Sequence, residues 1–246
     1  MSRLVWDKAG ERLYETGVDK VALYLLTRGG YAPGVAWNGV TAINENPSGA
    51  ESTPFYADNI KYLNLVSTED FAATLESYSY PAEFQQCIGE IGPAPGVIFS
   101  QQRRVHFGLV YRSLVGNDQD GTEYGYKLHV VFDGLAGPSD RNRSTVNDNP
   151  DIVTNSWDIS TSTVTVPGHK PTARLTLDSR KFQNAGFMNI LHRLEERFYG
   201  SDTDAPTFLT ISEILDTYEL EMYLRDEDGD AILDSDGNKI QSRVFE

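Results

Sequence analysis

Two runs of alternating apolar and polar residues constrain the fold of this chain more than any other feature. The apolar members are Val105, Phe107, Leu109 and Tyr111 in the first run and Tyr126, Leu128, Val130 and Phe132 in the second. A period of two residues is typical of a half-buried β-strand. The intervening segment Gly116–Gly121 is rich in Gly, Asn and Asp, which favour tight turns. The sequence therefore predicts a β-hairpin with its apolar faces directed into a core.

Strand patterns extend through most of the first 180 residues. The further predicted strands are Val18–Leu26, Val35–Asn44, Ile60–Val66, Phe71–Tyr80, Trp157–Val166 and Ala173–Leu177. The segment Glu45–Asp58 is polar and contains Pro47, Gly49 and Pro54, so it is predicted as a long loop. The fold class expected from this pattern is mostly β within an α+β protein.

The hydrophobic period changes after residue 180. Apolar residues at helical spacing (Phe187, Ile190, Leu191, Leu194 and Phe198) predict an amphipathic helix that ends at Gly200. A short second helix is predicted over Thr210–Tyr218, and the alternation of Leu220, Met222 and Leu224 predicts a strand. We therefore expect a β-rich domain over 1–180, with the helix and an acidic segment over 181–246 packing on it or extending from it.

The charge of the chain is acidic and unevenly distributed. The net charge is −15, with 21 Lys and Arg against 36 Asp and Glu, and residues 200–246 carry 13 acidic and 3 basic residues. Such a chain is a poor generic ligand for nucleic acid or for an anionic membrane. The single cysteine cannot form an intrachain disulfide, and no stretch of 18 apolar residues is present. These features predict a soluble protein matured in a reducing cytoplasm.

The sequence predicts no catalytic, cofactor-binding or metal site, and no enzymatic activity. Common nucleophile, zinc-protease and phosphate-loop motifs are missing from the sequence. Cys87 is predicted to be a buried, inert thiol, and His106 and His129 to be polar-face residues that are possible cross-strand neighbours. The spacing of Asp226–Asp230 and Asp234–Asn238 departs from that of an EF-hand and indicates turns more than calcium ligands.

Two further features point towards assembly. The arginines Arg103, Arg104, Arg141 and Arg143 form two small clusters that are expected on solvated faces or in subunit contacts. The segments Tyr62–Val66 and His129–Phe132 carry large side chains on both faces of a strand. A sheet that needs cover on both faces and ends in exposed edges is typical of β-proteins completed by neighbouring subunits.

Nine short segments follow one another in a characteristic order and spacing: Tyr14–Lys20, Gly34–Val40, Asn46–Glu51, Tyr56–Tyr62, Tyr78–Phe84, Gly116–Asp118, Gly125–His129, Ser144–Asp148 and Lys170–Ala173. Together they resemble the major tail proteins of long-tailed bacteriophages. The resemblance spans nearly all of residues 3–180, and the helix Phe187–Gly200 resembles the C-terminal helix of that family. The segment from about Leu220 onward departs from the family pattern.

The resemblance implies a tail tube subunit with a β-sandwich or half-barrel flanked by a helix. Such subunits form rings, usually hexameric, whose sheets join into one continuous barrel, and the rings stack into a tube that conducts DNA during ejection. The implied partners are other copies of the chain and further tail proteins (tape measure, tail terminator and distal tail). Duplex DNA would pass through the lumen without specific binding. The implied location is the virion, with assembly in the host cytoplasm.

This interpretation gives roles to the predicted loop and to the charge. The segment Glu45–Asp58 is a candidate arm that reaches a neighbouring subunit or ring. Because most of the negative charge follows Tyr199, the lumen is expected to be only moderately negative, with the acidic tail serving the outer surface, solubility or ring contacts. Two alternatives stay open: a β-sandwich module that binds calcium or glycans, and a hydrolase with paired carboxylates.

Overall fold

The protein folds around a large antiparallel sheet with a few helices, as the expected fold class requires. The computed structural model describes residues 3–139, 143, 145, 152–182, 185–222 and 239. The strands are β1 (Tyr14–Thr27), β2 (Gly30–Tyr31), β3 (Val35–Ala36), β4 (Val40–Glu45), β5 (Ser48–Gly49), β6 (Ser52–Ala57), β7 (Ile60–Val66), β8 (Glu69–Asp70), β9 (Ala72–Ser77), β10 (Ile91–Ala94), β11 (Val97–Phe99), β12 (Phe107–Asn117), β13 (Gly121–Ala136), β14 (Asn155–Thr161) and β15 (Arg174–Asp178). The helices are α1 (Phe84–Cys87), α2 (Ala185–Tyr199) and α3 (Ile211–Met222), with a 3₁₀ turn at Ser179–Lys181.

The predicted central hairpin is confirmed as β12 and β13. Their register places Tyr111 opposite His129 and Val110 opposite Val130. The main sheet has the order β2-β1-β12-β13-β14-β9-β4, with β3 beside β1 and β15 beside β13. β4, at one end of this path, also lies close to β1, the second strand from the other end. The sheet therefore curls round into a half-barrel.

The long strand β13 explains how one sheet can curl. Its middle residues, Lys127–Val131, pair with β15, whereas its last residues, Gly134–Ala136, pair with β14. Asp133, at the change of partner, has a positive φ of 45°. A non-glycine residue in this region usually marks a local bend or irregularity in the strand. β13 thus changes its pairing partner from β15 to β14 at Asp133, and the sheet bends there.

The core lies on both faces of β1, β12 and β13. Helices α2 and α3 cover one face, where buried residues include Val110, Leu128, Val130, Phe132, Ile190, Leu194, Phe198 and Phe208. The other face lines the interior of the half-barrel and holds Leu23, Trp37, Leu75, Phe84, Phe107, Leu109, Val131 and Trp157. The Trp157 ring lies 5.1 Å from that of Phe84 and 5.8 Å from that of Trp37. Both predicted helices exist, and they pack on the sheet.

Cover for the segment His129–Phe132 therefore comes from within the chain. The expectation that a neighbour must cover this segment was wrong, because its four residues are all buried by the helices on one side and by the half-barrel on the other. The segment Tyr62–Val66, by contrast, is exposed along its whole length. The need for cover therefore applies to β7 and not to the central hairpin.

Two predicted strands have different boundaries or type. Val35–Asn44 is divided into β3 and β4, because Trp37 turns into the core and its indole N–H donates to the Ser79 carbonyl at 2.8 Å. Gly39, with φ at 85°, then redirects the chain. Leu220 and Met222 lie in α3 and not in a strand, while Leu224 lies outside the described residues. The helix prevails because Ile211, Ile214 and Tyr218 place a helical stripe against the core.

The prediction of a long loop over Glu45–Asp58 was wrong. It contains β5 and β6, which pair with β8 and β7 respectively. The short helix α1 and the hairpin β10–β11 were also missed, and the strand predicted over Trp157–Val166 ends at Thr161. None of the helices in the part of the chain that the structure describes is both long and apolar enough to cross a membrane.

Candidate functional site

The most unusual feature of the molecule is a hairpin, β6–β7, that shares no sheet with the body. We call residues 46–71, which contain β5 to β8, the arm. The two strands pair with each other from Ser52 opposite Val66 to Ala57 opposite Ile60. Asp58 and Asn59 form the tip, both with positive φ (51° and 61°). Two successive residues of this kind make the turn that matches the twist of a tight hairpin, which is why this Asp-Asn pair can close it.

Every residue of β6 and β7 is exposed, although many are large and apolar. The exposed apolar side chains of the arm are Phe55, Tyr56, Ile60, Tyr62, Leu63, Leu65 and Val66. Tyr56 and Tyr62 are 70% and 69% exposed. Within the described residues, β6 and β7 form a sheet of two strands only. A lone hairpin is marginally stable in water, and a contiguous apolar patch of this kind marks an interaction surface.

The root of the arm is fixed firmly to the half-barrel. The Asn46 amide donates to the Ala72 carbonyl at 2.8 Å, so the chain enters and leaves the arm at adjacent points. Glu45, immediately before the arm, accepts a hydrogen bond from the Tyr111 hydroxyl at 2.8 Å and pairs with Arg174. The arm is therefore an exposed hairpin on a well-defined base.

A second exposed hairpin, β10–β11, lies elsewhere on the surface. Ile98 and Phe99 are 53% and 52% exposed, and Ile91 pairs with Phe99. The Gln102 amide donates to the Gly89 carbonyl at 2.9 Å, which closes the base of this hairpin. Nothing in the described residues covers its apolar side chains. It adds a second apolar element to the surface of the protein.

A cleft of about 480 Å³ at the mouth of the half-barrel gathers the polar groups most suggestive of catalysis. Ser113 Oγ lies 2.8 Å from His129 Nε2 and 2.6 Å from Glu15 Oε1. His129 Nδ1 lies 3.3 Å from the Thr176 hydroxyl. A serine, a histidine and a carboxylate in this order resemble the nucleophile–base arrangement of hydrolases, so the proton positions decide what the cluster can do.

The hydrogen-bond directions show that Ser113 is not activated. Its single hydroxyl hydrogen goes to the Glu15 carboxylate, which can only accept, so His129 must donate from Nε2 to Ser113 Oγ. A base for Ser113 would have to accept at that nitrogen. Burial lowers the pKa of His129, opposed by the nearby Glu15 carboxylate, so the ring stays neutral near pH 7. The cluster is a satisfied polar network in the wall of the half-barrel.

The carboxylates of the cleft are also paired. Burial raises the pKa of Glu15, but hydrogen bonds from Lys127 and Ser113 outweigh this and hold the pKa below its usual value. Glu45 is held by Tyr111 and Arg174. Glu15 is therefore not kept protonated as a general acid would be, and Glu45 is occupied by its two partners. The cleft gives no support to a hydrolase with paired carboxylates.

The residues singled out from the sequence are scattered. His106 bonds Asp133 at 2.7 Å, and the register separates it from His129, so the two histidines are not cross-strand neighbours. Cys87 is buried as predicted, and burial raises its pKa to about 12. The described residues contain no group of three or more His, Cys, Asp or Glu side chains placed to hold a metal ion. Both Asp-Gly segments of residues 226–238 lie outside the described residues.

Sequence reasoning missed the strand character of the arm, although a signal was present. Asp58-Asn59 stands between Phe55-Tyr56-Ala57 and Ile60-Lys61-Tyr62. A turn-forming pair between two runs of strand formers predicts a tight hairpin. Pro47, Gly49 and Pro54 favoured a loop and hid this hairpin pattern, although Pro54 lies within β6.

Comparisons with known proteins add little to the geometry. No protein-family model matches the sequence, and a search of curated proteins finds no match. A chain in the cryo-EM structure of the anti-feeding prophage baseplate is similar over 71% of this chain and 97% of its own, at 9% identity and a TM-score of 0.35. A chain in the sheath-tube complex of an extracellular contractile injection system, PVC, in the extended state covers 65% of this chain and 88% of its own, at 12% identity and a TM-score of 0.29. At TM-scores this low, neither likeness supports an argument about this chain.

Proposed function

We propose that this chain is a non-enzymatic structural protein of a phage tail, and specifically a tail tube subunit. In this proposal the subunits form rings, usually hexameric, and the rings stack into the conduit for DNA ejection. The proposal rests first on the sequence resemblance to major tail proteins over residues 3–180. The mostly-β half-barrel with a helix packed on one face has the form that the resemblance implies.

The single structural observation that carries the proposal is the arm. Burying an apolar surface stabilises an association by roughly 25 cal/mol per Å² of area removed from water. Seven large apolar side chains on an element with no cover in the described residues thus offer a strong driving force for binding another protein. Self-association would give that surface a partner in every copy except those at the ends of a tube. The arm would contact a neighbouring subunit or ring.

The chain's charge suits a conduit. Like charge on a wall would keep DNA mobile, because phosphate binding depends on cations. The acidic segment after residue 222, apart from Lys239, lies outside the described residues, so its role on the outer surface or in ring contacts stays a prediction. Interaction with other tail proteins also belongs to the proposal.

The structure suggests a clean experiment on the arm. Gly49 pairs with Glu69, so residues 50–68 can be replaced by an Asn-Gly turn that closes the β5–β8 ladder. The expected result is a folded monomer by circular dichroism and sedimentation, whereas the parent chain at high concentration forms rings or tubes visible by electron microscopy. Normal tubes from the shortened chain would contradict the role of the arm.

Point variants separate the apolar surface from the hairpin itself. Tyr62→Ser combined with Leu65→Ser removes two exposed apolar side chains and should weaken assembly without unfolding the body. The matched control is Lys61→Ser with Thr53→Ser, two changes at exposed polar positions of the same hairpin. A parent protein that stays monomeric at all concentrations, and whose stability rises on adding calcium, would instead favour the calcium-binding module.

A further inference from the structure

A cleft of about 380 Å³ near the end of β13 is lined by a residue whose buried hydrogen-bond donor no described residue satisfies. We call it the basic cleft. Its described lining residues are Ile88, Glu90, Ser100, Gln101, Arg104, Gly137, Pro138, Ser139, Arg143 and Trp157. Trp157 is only 1% exposed, and its indole N–H is a buried donor without a hydrogen-bond partner among the described residues. A buried unpaired donor is costly, so it points to an acceptor that the described residues do not supply.

Two arginines also line this cleft. Arg104 donates from Nη1 to the Ala136 carbonyl at 2.5 Å, and no described residue forms an ion pair with Arg104 or Arg143. Glu90 is the one carboxylate among the described lining residues, and it already has a partner within the chain. The described lining residues therefore include two arginines outside any ion pair, together with a buried indole donor. A planar anion that accepts several hydrogen bonds, such as a carboxylate, fits this set of donors.

We propose that the basic cleft binds the Asp58 carboxylate at the arm tip of a second copy of the chain. This inference rests on the proposed self-assembly through the arm. Asp58 is the carboxylate at the far end of a hairpin whose strands span about 20 Å from the base. The arm as a whole is acidic, since Glu51, Asp58, Glu69 and Asp70 oppose only Lys61. The charges of arm and cleft are therefore complementary.

The apolar and the charged contact would have different roles. Burial of the apolar strands of the arm favours association but is not directional, so it does not select one position on the neighbour. The charged contact at the tip sets which part of the neighbour the arm reaches, because a misplaced carboxylate loses its water without gaining a partner. The basic cleft thus fixes the register between copies.

A charge-reversal experiment tests this contact. Arg104→Glu alone and Asp58→Arg alone should each weaken self-association by about tenfold or more, measured as the concentration at which assemblies appear in sedimentation velocity. The two changes together, in one chain, restore the opposite charges and should recover most of the parent's assembly. Arg103→Glu is the matched control, because Arg103 is an exposed arginine beside Arg104 that does not line the cleft.

The outcomes distinguish this inference from the proposed function. If the chain with residues 50–68 replaced still assembles normally, the role of the arm fails and the inference fails with it. If assembly depends on the arm but the double variant is no better than either single variant, only the basic cleft contact is overturned. Arg143→Glu paired with Asp58→Arg gives the same test if Arg104→Glu does not fold, since Arg143 is exposed.

Discussion

The Tyr111 hydroxyl donates a 2.8 Å hydrogen bond to Oε1 of Glu45 and so links the central hairpin to the last residue before the arm. The Tyr111 ring is itself fixed, because it is buried and stacks on His129 with ring centroids 4.7 Å apart. This one side chain therefore connects the half-barrel interior to the base of the arm. The direction in which the arm leaves the body depends on a side chain of β12.

Replacing this hydroxyl should loosen the base of the arm. Tyr111→Phe keeps the ring but leaves the Glu45 carboxylate with one donor fewer, and hydrogen bonds to charged groups contribute about 1.5–3 kcal/mol. We expect a loss of roughly that size in the free energy of unfolding by urea, and faster hydrogen exchange of the Asn46 amide. Tyr62→Phe, at an exposed tyrosine of the arm, is the control and should change neither quantity.

The sequence predicted the central hairpin and α2 because apolar residues recur in each at a regular spacing. That spacing places them on one face of the element, which packs into the core. The sequence wrongly predicted one continuous strand over Val35–Asn44, which breaks between β3 and β4 where Trp37 turns into the half-barrel core. The periodic pattern does not show which side chain will leave a strand to fill the core. The polar network around His129 could not be predicted either, because Glu15, Ser113, His129 and Thr176 come from four strands. Only the register of the folded sheet brings them together.

Acid should destabilise the fold through His129. Burial lowers the pKa of this histidine in the folded protein, whereas in the unfolded chain it titrates at about 6.5. The unfolded state therefore binds more protons in this range, so the stabilisation is complete above pH 6.5 and is lost as pH falls towards the folded pKa. His129→Gln should flatten the fall in stability below about pH 6.5, by up to about 1.4 kcal/mol per pH unit.

Urea unfolding at several pH values measures this effect as a difference in slope between parent and variant. His169→Gln provides the control, because His169 is an exposed residue. It should keep the pH dependence of the parent. An unchanged slope in His129→Gln would mean that another group governs stability in this range.

A side chain added at Gly108 of β12 should destabilise the fold, because Phe208, in the segment before α3, packs directly against this glycine. A Cβ at this position would lie 2.5 Å from the ring of Phe208, which is buried between β12 and α2. Overpacking of this kind costs typically about 1–3 kcal/mol. Gly108→Ala should lower the free energy of unfolding by that amount, whereas Gly29→Ala, where no atom lies within 4 Å of the new Cβ, should not. Equal stabilities for the two variants would show that Phe208 can move aside.

The start of α3 depends on a reciprocal pair of hydrogen bonds between Thr210 and Glu213. The Glu213 amide donates to Thr210 Oγ1 at 3.3 Å, and the Thr210 amide donates to Glu213 Oε2 at 2.8 Å. This arrangement is a capping box, which satisfies backbone donors that a helix start otherwise leaves free.

Losing this cap should matter because α3 brings Ile211 and Ile214 to the core. Thr210→Ala should cost about 1 kcal/mol in the free energy of unfolding and increase hydrogen exchange in the first turn of α3. Ser212→Ala, at the exposed second residue of α3, also removes a hydroxyl and is the control. If both variants lose the same stability, the effect belongs to helix propensity and not to the cap. If only Thr210→Ala does, the cap holds the helix that covers one face of the sheet.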